Sequence, residues 1–150
     1  MKSAVILVLF LIGTFTACSV LTLTPANFAW PIESVLKVND EGEVSEERYS
    51  FSFDAKGIYY EEFQDSLAYL DRELRIIRDV QGYYFITGVK FKNVYVFRAY
   101  DGAMVLNNKI LISESGVQNP AFNQRSPHIE LIDSDKKLKL THQGIEGGDK

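Results

Sequence analysis

VYVFRAYDGAMVLNNKILIS, residues 94–113, is the stretch on which the fold is read. Val94 to Tyr100 is dense in β-branched and aromatic side chains, which fit a pleated, half-buried surface. Asp101-Gly102 is a tight-hairpin dipeptide, because the turn it makes needs positive φ at both positions. Met104 to Leu106 follows, and Asn107-Asn108 predicts a second turn into Lys109 to Ser113. Strands this short pair with their sequence neighbours, so the stretch predicts an antiparallel meander.

Downstream, Gly116 to Pro127 reads as a polar loop containing Asn119-Pro120 and Ser126-Pro127. A last hairpin pairs His128 to Ile132 with Lys137 to Thr141 across Ser134-Asp135, with Ile129, Leu131, Leu138 and Leu140 on one face. Residues 144–150 have no apolar run and are expected to be a disordered tail. Upstream, Ile32, Ser34, Leu36 and Val38 share a face before the Asn39-Asp40-Glu41-Gly42 turn. Tyr49, Phe51 and Phe53 alternate with polar residues on the return strand. Asp54-Ala55-Lys56-Gly57 predicts a turn into Ile58-Tyr59-Tyr60. Phe63, Leu67, Leu70, Leu74 and Ile77 then recur at helical spacing, but the Arg75 to Thr87 region reads as strand, turn, strand. A short helix near 62–70 and a strand from about Glu73 reconcile the two. The expected fold class is all-β: a mainly antiparallel meander of hairpins forming a small barrel or a two-layer roll over residues 31–143.

The first eighteen residues are of another kind. Lys2 is followed by nine apolar residues, Ala4 to Ile12, and Phe15-Thr16-Ala17 precede Cys18, the single cysteine. This is the pattern of an export signal, not of a folded element. It resembles the bacterial lipoprotein signal peptide, whose box of large apolar, small, Ala or Gly, then Cys marks the cleavage and lipidation point. Ala17 and Thr16 fit that box, while Phe15 stands where Leu is usual. The resemblance implies removal of residues 1–17, acyl chains (diacylglyceryl and a further fatty acyl such as palmitate) on Cys18, and a tether over 18–30. One acyl chain binds a membrane marginally, whereas several anchor stably. Ser19, where an Asp would favour the inner membrane, implies the outer membrane facing the periplasm. A competing expectation is an uncleaved anchor, since Ala4 to Leu23 is long enough to span a bilayer as one helix.

From Cys18 onward the chain carries 15 basic and 20 acidic side chains, a formal net charge of −5. Such a balance argues against nucleic acid as a partner, which would need concentrated Lys and Arg. With Cys18 acylated no thiol remains for a disulfide, so stability rests on burial. The length suits one domain.

No residue constellation calls for catalysis, a metal or a cofactor. His128 and His142 lack companions at metal-ligand spacing and read as solvent-facing strand ends. Asp133 and Asp135 begin like a calcium loop, but no Gly stands at its sixth position and no Glu at its twelfth. Ser113-Glu114-Ser115-Gly116 lacks the first Gly of a nucleophile elbow. The surplus lies in aromatic residues, seventeen of them from Cys18 onward. Tyr59-Tyr60 and Tyr83-Tyr84, read as strand neighbours, point to opposite faces, so one of each pair is expected on the outer face or against a second packed layer; the rings read first as filling a β core with hydroxyls at its rim, and second as a binding surface for glycan, peptide or protein partner. Arg72, Arg75 and Arg78 are candidates to line it, and Asp71 to pair with Arg75. The expected role is therefore a noncatalytic envelope binding module. The alternatives are a closed-barrel carrier of an apolar ligand, with Phe51, Phe85 and Phe97 lining its cavity, and an envelope hydrolase.

Acylation at Cys18 has a direct test. Intact mass of the membrane fraction is expected to show a chain beginning at modified Cys18, and unmodified Met1 to Lys150 there would rule this out.

Overall fold

The computed structural model describes residues 32–47 and 50–147. Cys18, the expected signal and tether, and Tyr49 lie outside the described residues. Among the described residues eleven strands and one helix follow in order: β1 (Ser34–Lys37), β2 (Glu43–Glu46), β3 (Phe51–Asp54), α1 (Lys56–Phe63), β4 (Glu73–Arg78), β5 (Tyr83–Gly88), β6 (Asn93–Tyr100), β7 (Ala103–Leu111), β8 (Pro120–Arg125), β9 (His128–Asp133), β10 (Lys136–Thr141) and β11 (Gly144–Ile145). All strand pairs are antiparallel, so the fold is all-β as expected. Three sheets form, ordered β1-β4-β5-β6-β7, β11-β10-β9-β8 and β2-β3, and they do not close into a barrel.

The five-stranded sheet is the centre because its middle strands are apolar on both faces. Ser34, Ile76, Ile86 and Tyr95 lie opposite one another across four strands and so share one face. Ile77, Phe85 and Val96 lie in register on the other. All of these side chains are buried, each large apolar one contributing about 1.5–3 kcal/mol. Helix α1 and the β2-β3 hairpin cover the first face. The four-stranded sheet covers the second, to which Arg75 is tied by its ion pair with Glu33, whose other oxygen accepts from the Phe122 amide at 2.7 Å.

Helix α1 begins earlier than its expected place. Asp54 Oδ1 accepts from the Lys56 amide at 2.7 Å and starts the helix. Gln64, with φ of 56°, ends it. Ile58-Tyr59-Tyr60 is therefore helical, not strand. The helical spacing of Phe63, Leu67, Leu70, Leu74 and Ile77 belongs to no single element: Leu67 and Leu70 are exposed in turns, while Leu74 and Ile77 are buried in β4. Asp71 and Arg75 are not one helical turn apart, and Arg75 pairs with Glu33 instead.

Four further expectations are corrected. Asn107-Asn108 is no turn: β7 runs straight through, and the register places Val96 opposite Asn108 but Phe97 opposite Leu106, leaving Asn107 as a bulge. Residues 116–127 are not all loop, since β8 pairs along β9 with Phe122 buried between the sheets. The chain at 144 does not begin a disordered tail, because β11 pairs with Leu140 and Thr141. Ile32 leaves the face shared by Ser34, Leu36 and Val38 and is exposed, bridging to Asn123 of β8.

Two loops meet where the Lys90 amide donates to Val117 O at 2.6 Å and the Val117 amide donates to Phe91 O at 2.9 Å. Gly116 sits beside them with φ of +79°, and a Cβ there would stand 2.4 Å from Lys90 O. Both the backbone angle and the space demand glycine. Gly116→Ala is expected to cost at least about 2 kcal/mol in chemical denaturation.

Candidate functional site

Beyond the reach of α1, the first face of the central sheet opens into a groove of about 790 Å³. Its floor follows from the register. Tyr84, Phe97 and Leu106 form one row across β5, β6 and β7, and Ala99 and Met104 form the next. Phe51 and Phe53 of β3 make one wall, their rings 6.1 Å apart and nearly parallel, and Phe51 also meets Tyr84 at 6.2 Å. Ile58 and Glu61 of α1 close one end, and the Tyr100–Ala103 turn projects past the other. The lining is mainly apolar and aromatic with carboxylates at Asp54, Glu61 and Asp101, a composition suited to binding.

One acidic side chain holds the helix wall in place. Glu62 accepts from the Lys92 amide, from Asn93 Nδ2 at 2.9 Å and from the Tyr95 hydroxyl at 2.8 Å. Its neighbour Glu61 pairs with Lys109 at 2.9 Å, and that ammonium lies 5.6 Å from the Tyr95 ring. Burial raises the Tyr95 phenol well above its usual value, with the Glu62 hydrogen bond and the charges of Glu62 and Glu61 adding to it. Tyr59 donates to Glu73 O at 3.0 Å and packs edge-on against Phe91 at 5.3 Å. Its phenol is raised too, by burial above all, with Arg72 opposing and Glu73 adding.

The four tyrosines singled out from sequence do not form one surface. Tyr59 is 1% exposed and belongs to the core, while Tyr60 is 53% exposed on the outside of α1. Adjacent residues part in this way on a helix as well as on a strand. Tyr84 lies in the groove. Tyr83 faces the opposite way and stacks on His142, with centroids 4.3 Å apart and planes 3° from parallel. Of the three phenylalanines expected in a cavity, Phe51 and Phe97 line the groove, whereas Phe85 is buried in the core on the far face. Arg78 lies over Tyr84 at 5.6 Å and Arg72 over Phe63 at 4.8 Å. Tyr100, Met104 and Leu106 were missed from sequence, since only the alignment of β6 with β7 shows which of their side chains share a face.

The polar candidates have local work. Asp133 Oδ1 accepts from the Gln118 and Asn119 amides at 3.0 and 2.8 Å, which pins the loop before β8. His128 is not a solvent-facing strand end: it is largely covered, with Nδ1 at 3.3 Å from Glu146. His142 lies against Tyr83. Ser113 and Ser115 hydroxyls lie 3.3 Å from each other. Among the described residues no group of three His, Cys, Asp or Glu is placed to hold a metal ion, and no helix is long and apolar enough to cross a membrane. Comparison with protein-family models, with curated proteins and with solved structures finds no match.

The two raised phenols set an alkaline limit. As pH climbs past 10.0, the ordinary tyrosine value, the unfolded chain ionises first while the folded chain keeps both protons. The unfolded state then binds fewer protons, so stability falls from that pH upward toward the folded values. Denaturant midpoints at about pH 9 and about pH 11 are expected to differ less in a Tyr59→Phe, Tyr95→Phe double variant than in the parent chain.

Proposed function

We propose that this chain is a lipid-anchored envelope protein whose β domain is a noncatalytic binding module, with the groove between β3, α1 and the β6-β7 hairpin as its binding site. The observation that carries the reading is the groove itself. A sheet face bearing Tyr84, Phe97, Met104 and Leu106 is left open while the rest of the same face is sealed by α1. Contiguous exposed apolar surface costs solubility, and a domain that retains it does so where a partner covers it. The export signal and acylated Cys18 supply the address, through the resemblance of residues 1–18 to lipoprotein signals. The open groove favours an apolar portion of an envelope component over an enclosed small ligand, because no closed barrel surrounds it.

A photo-crosslinking residue placed at Met104 or Leu106 of the full chain, in the native envelope, tests the site. The same adduct is expected from both positions, none from Asp135, and a loss of about tenfold or more when Phe97→Asp puts a charge on the groove floor, since burying an unpaired carboxylate costs more than about 1.4 kcal/mol. Equal adducts from Asp135 would place binding elsewhere.

A further inference from the structure

The layer that covers the first face of the central sheet stops at the edge of a strand. Among the described residues β2 and β3 pair only with each other and lie over that face. All four residues of β3 line the groove and none of β2 does, so β3 stands between its partner and the bare part of the face. The side of β3 turned away from β2 therefore looks into the groove.

The phase of the ladder shows what that side carries. The Ala55 amide donates to Gly42 O at 2.8 Å, which makes Glu43 and Asp54 a facing pair that exchanges no bonds. Bonded and non-bonded pairs alternate along an antiparallel ladder, so Val44 with Phe53 and Glu46 with Phe51 are bonded, and Ser45 with Ser52 are not. The N–H and C=O of Ser52 hence point away from β2. They have no backbone partner among the described residues. Side chains follow the same period of two: Phe51 and Phe53 pack down against the core, and Ser52 and Asp54 are exposed on the outside.

Backbone donors and acceptors beside an apolar floor are matched by another backbone, since a strand laid there bonds at every second residue. Strands stand about 4.8 Å apart. Phe51 meets Tyr84 of β5, so one more strand beside β3 lies over the next floor strand, β6, with β7 beyond it. Residues of that strand opposite Phe51 and Phe53 share their face and descend onto Phe97, Met104 and Leu106, while the residue opposite Ser52 faces solvent. A strand added instead to the outer border of β7 would extend the floor in its own plane and cover nothing. We infer that the groove takes an extended segment of another polypeptide, apolar at alternate positions, which adds to β3 as the third strand of the upper layer. This rests on the reading of the groove as the binding site and is independent of the lipid anchor.

The test uses the full chain in its native envelope with a photo-crosslinking residue in place of Leu106, in three backgrounds: otherwise unchanged, Ser52→Ala and Ser52→Pro. Proline at Ser52 removes the outward N–H without breaking a bond to β2, and edge positions of this kind tolerate it. A polypeptide adduct is expected at the parental level from Ser52→Ala and reduced about tenfold or more in Ser52→Pro, because a carbonyl of the segment is then buried without its donor. Chemical denaturation of the purified chains checks that Ser52→Pro keeps the parental midpoint. Should it not, amide hydrogen exchange in the parental background decides: Ser52 is expected to exchange at least about tenfold more slowly in the purified adduct than in the free chain, and Ser45, whose amide points away from β3, at the same rate. A polypeptide adduct at full yield from Ser52→Pro, or with Ser52 exchange unchanged, overturns strand addition and keeps the groove as a site. So does an adduct with lipid, with glycan, with a second copy of this chain or with residues before Ile32 of the same chain. No adduct at all overturns the groove reading and the added strand together.

Discussion

Burial of both faces of one sheet is the constraint from which the rest of this structure follows. Ile76 and Ile77 are adjacent in β4, as are Phe85 and Ile86 in β5 and Val94, Tyr95 and Val96 in β6, and all are sealed from water. Adjacent residues of a strand point opposite ways, so such runs require a layer above and a layer below. The lower layer is the four-stranded sheet. The upper one is built from short pieces, α1 and the β2-β3 hairpin, which are too small to cover the whole face. The groove is the part they leave bare.

Attachment of α1 shows how the upper layer is held. The helix has eight residues, below the length at which helices are stable alone, and has no side-chain bond at its N-cap residue. Glu62 makes up the deficit by gathering a backbone amide, a carboxamide and a phenol from the strand side. Because Tyr95 and Glu61 also border the groove, the same contacts that secure the helix set one wall of the site.

Turn chemistry was the most legible part of the sequence. Asp101-Gly102, Asn39 to Gly42 and Ser134-Asp135 each turn where their residue types require; the strands joined by the first and the last pair as expected, whereas β1 pairs with β4 and β2 with β3. Long-range compensation was not legible. Asn107-Asn108 has the composition of a turn, but the surrounding ladder absorbs Asn107 as a bulge. Phe122 lies in a polar stretch, and β8 becomes a strand because that ring enters the core and Glu33 meets its amide. Tyr59-Tyr60 looks like strand by propensity, whereas the bond from the Lys56 amide to Asp54 and the burial of Ile58 and Tyr59 on one side make it helix. Of the groove, Phe51, Phe97 and Tyr84 were visible as an aromatic surplus. Their convergence with Met104 and Leu106 depends on cross-strand register, which no local pattern encodes.

The bulge at Asn107 also bears on how the molecule behaves when crowded. β7 is the outer strand of its sheet, the kind of border along which β proteins polymerise. The irregularity interrupts the ladder of β7, and the Asn107 and Asn108 carboxamides reach the His142 carbonyl at 3.4 and 3.2 Å, occupying the space a docking chain would need. The bulge leaves two regular runs of β7, Ala103 to Leu106 and Asn108 to Leu111, on either side of it. A copy pairing along this border would meet a ladder broken near its middle.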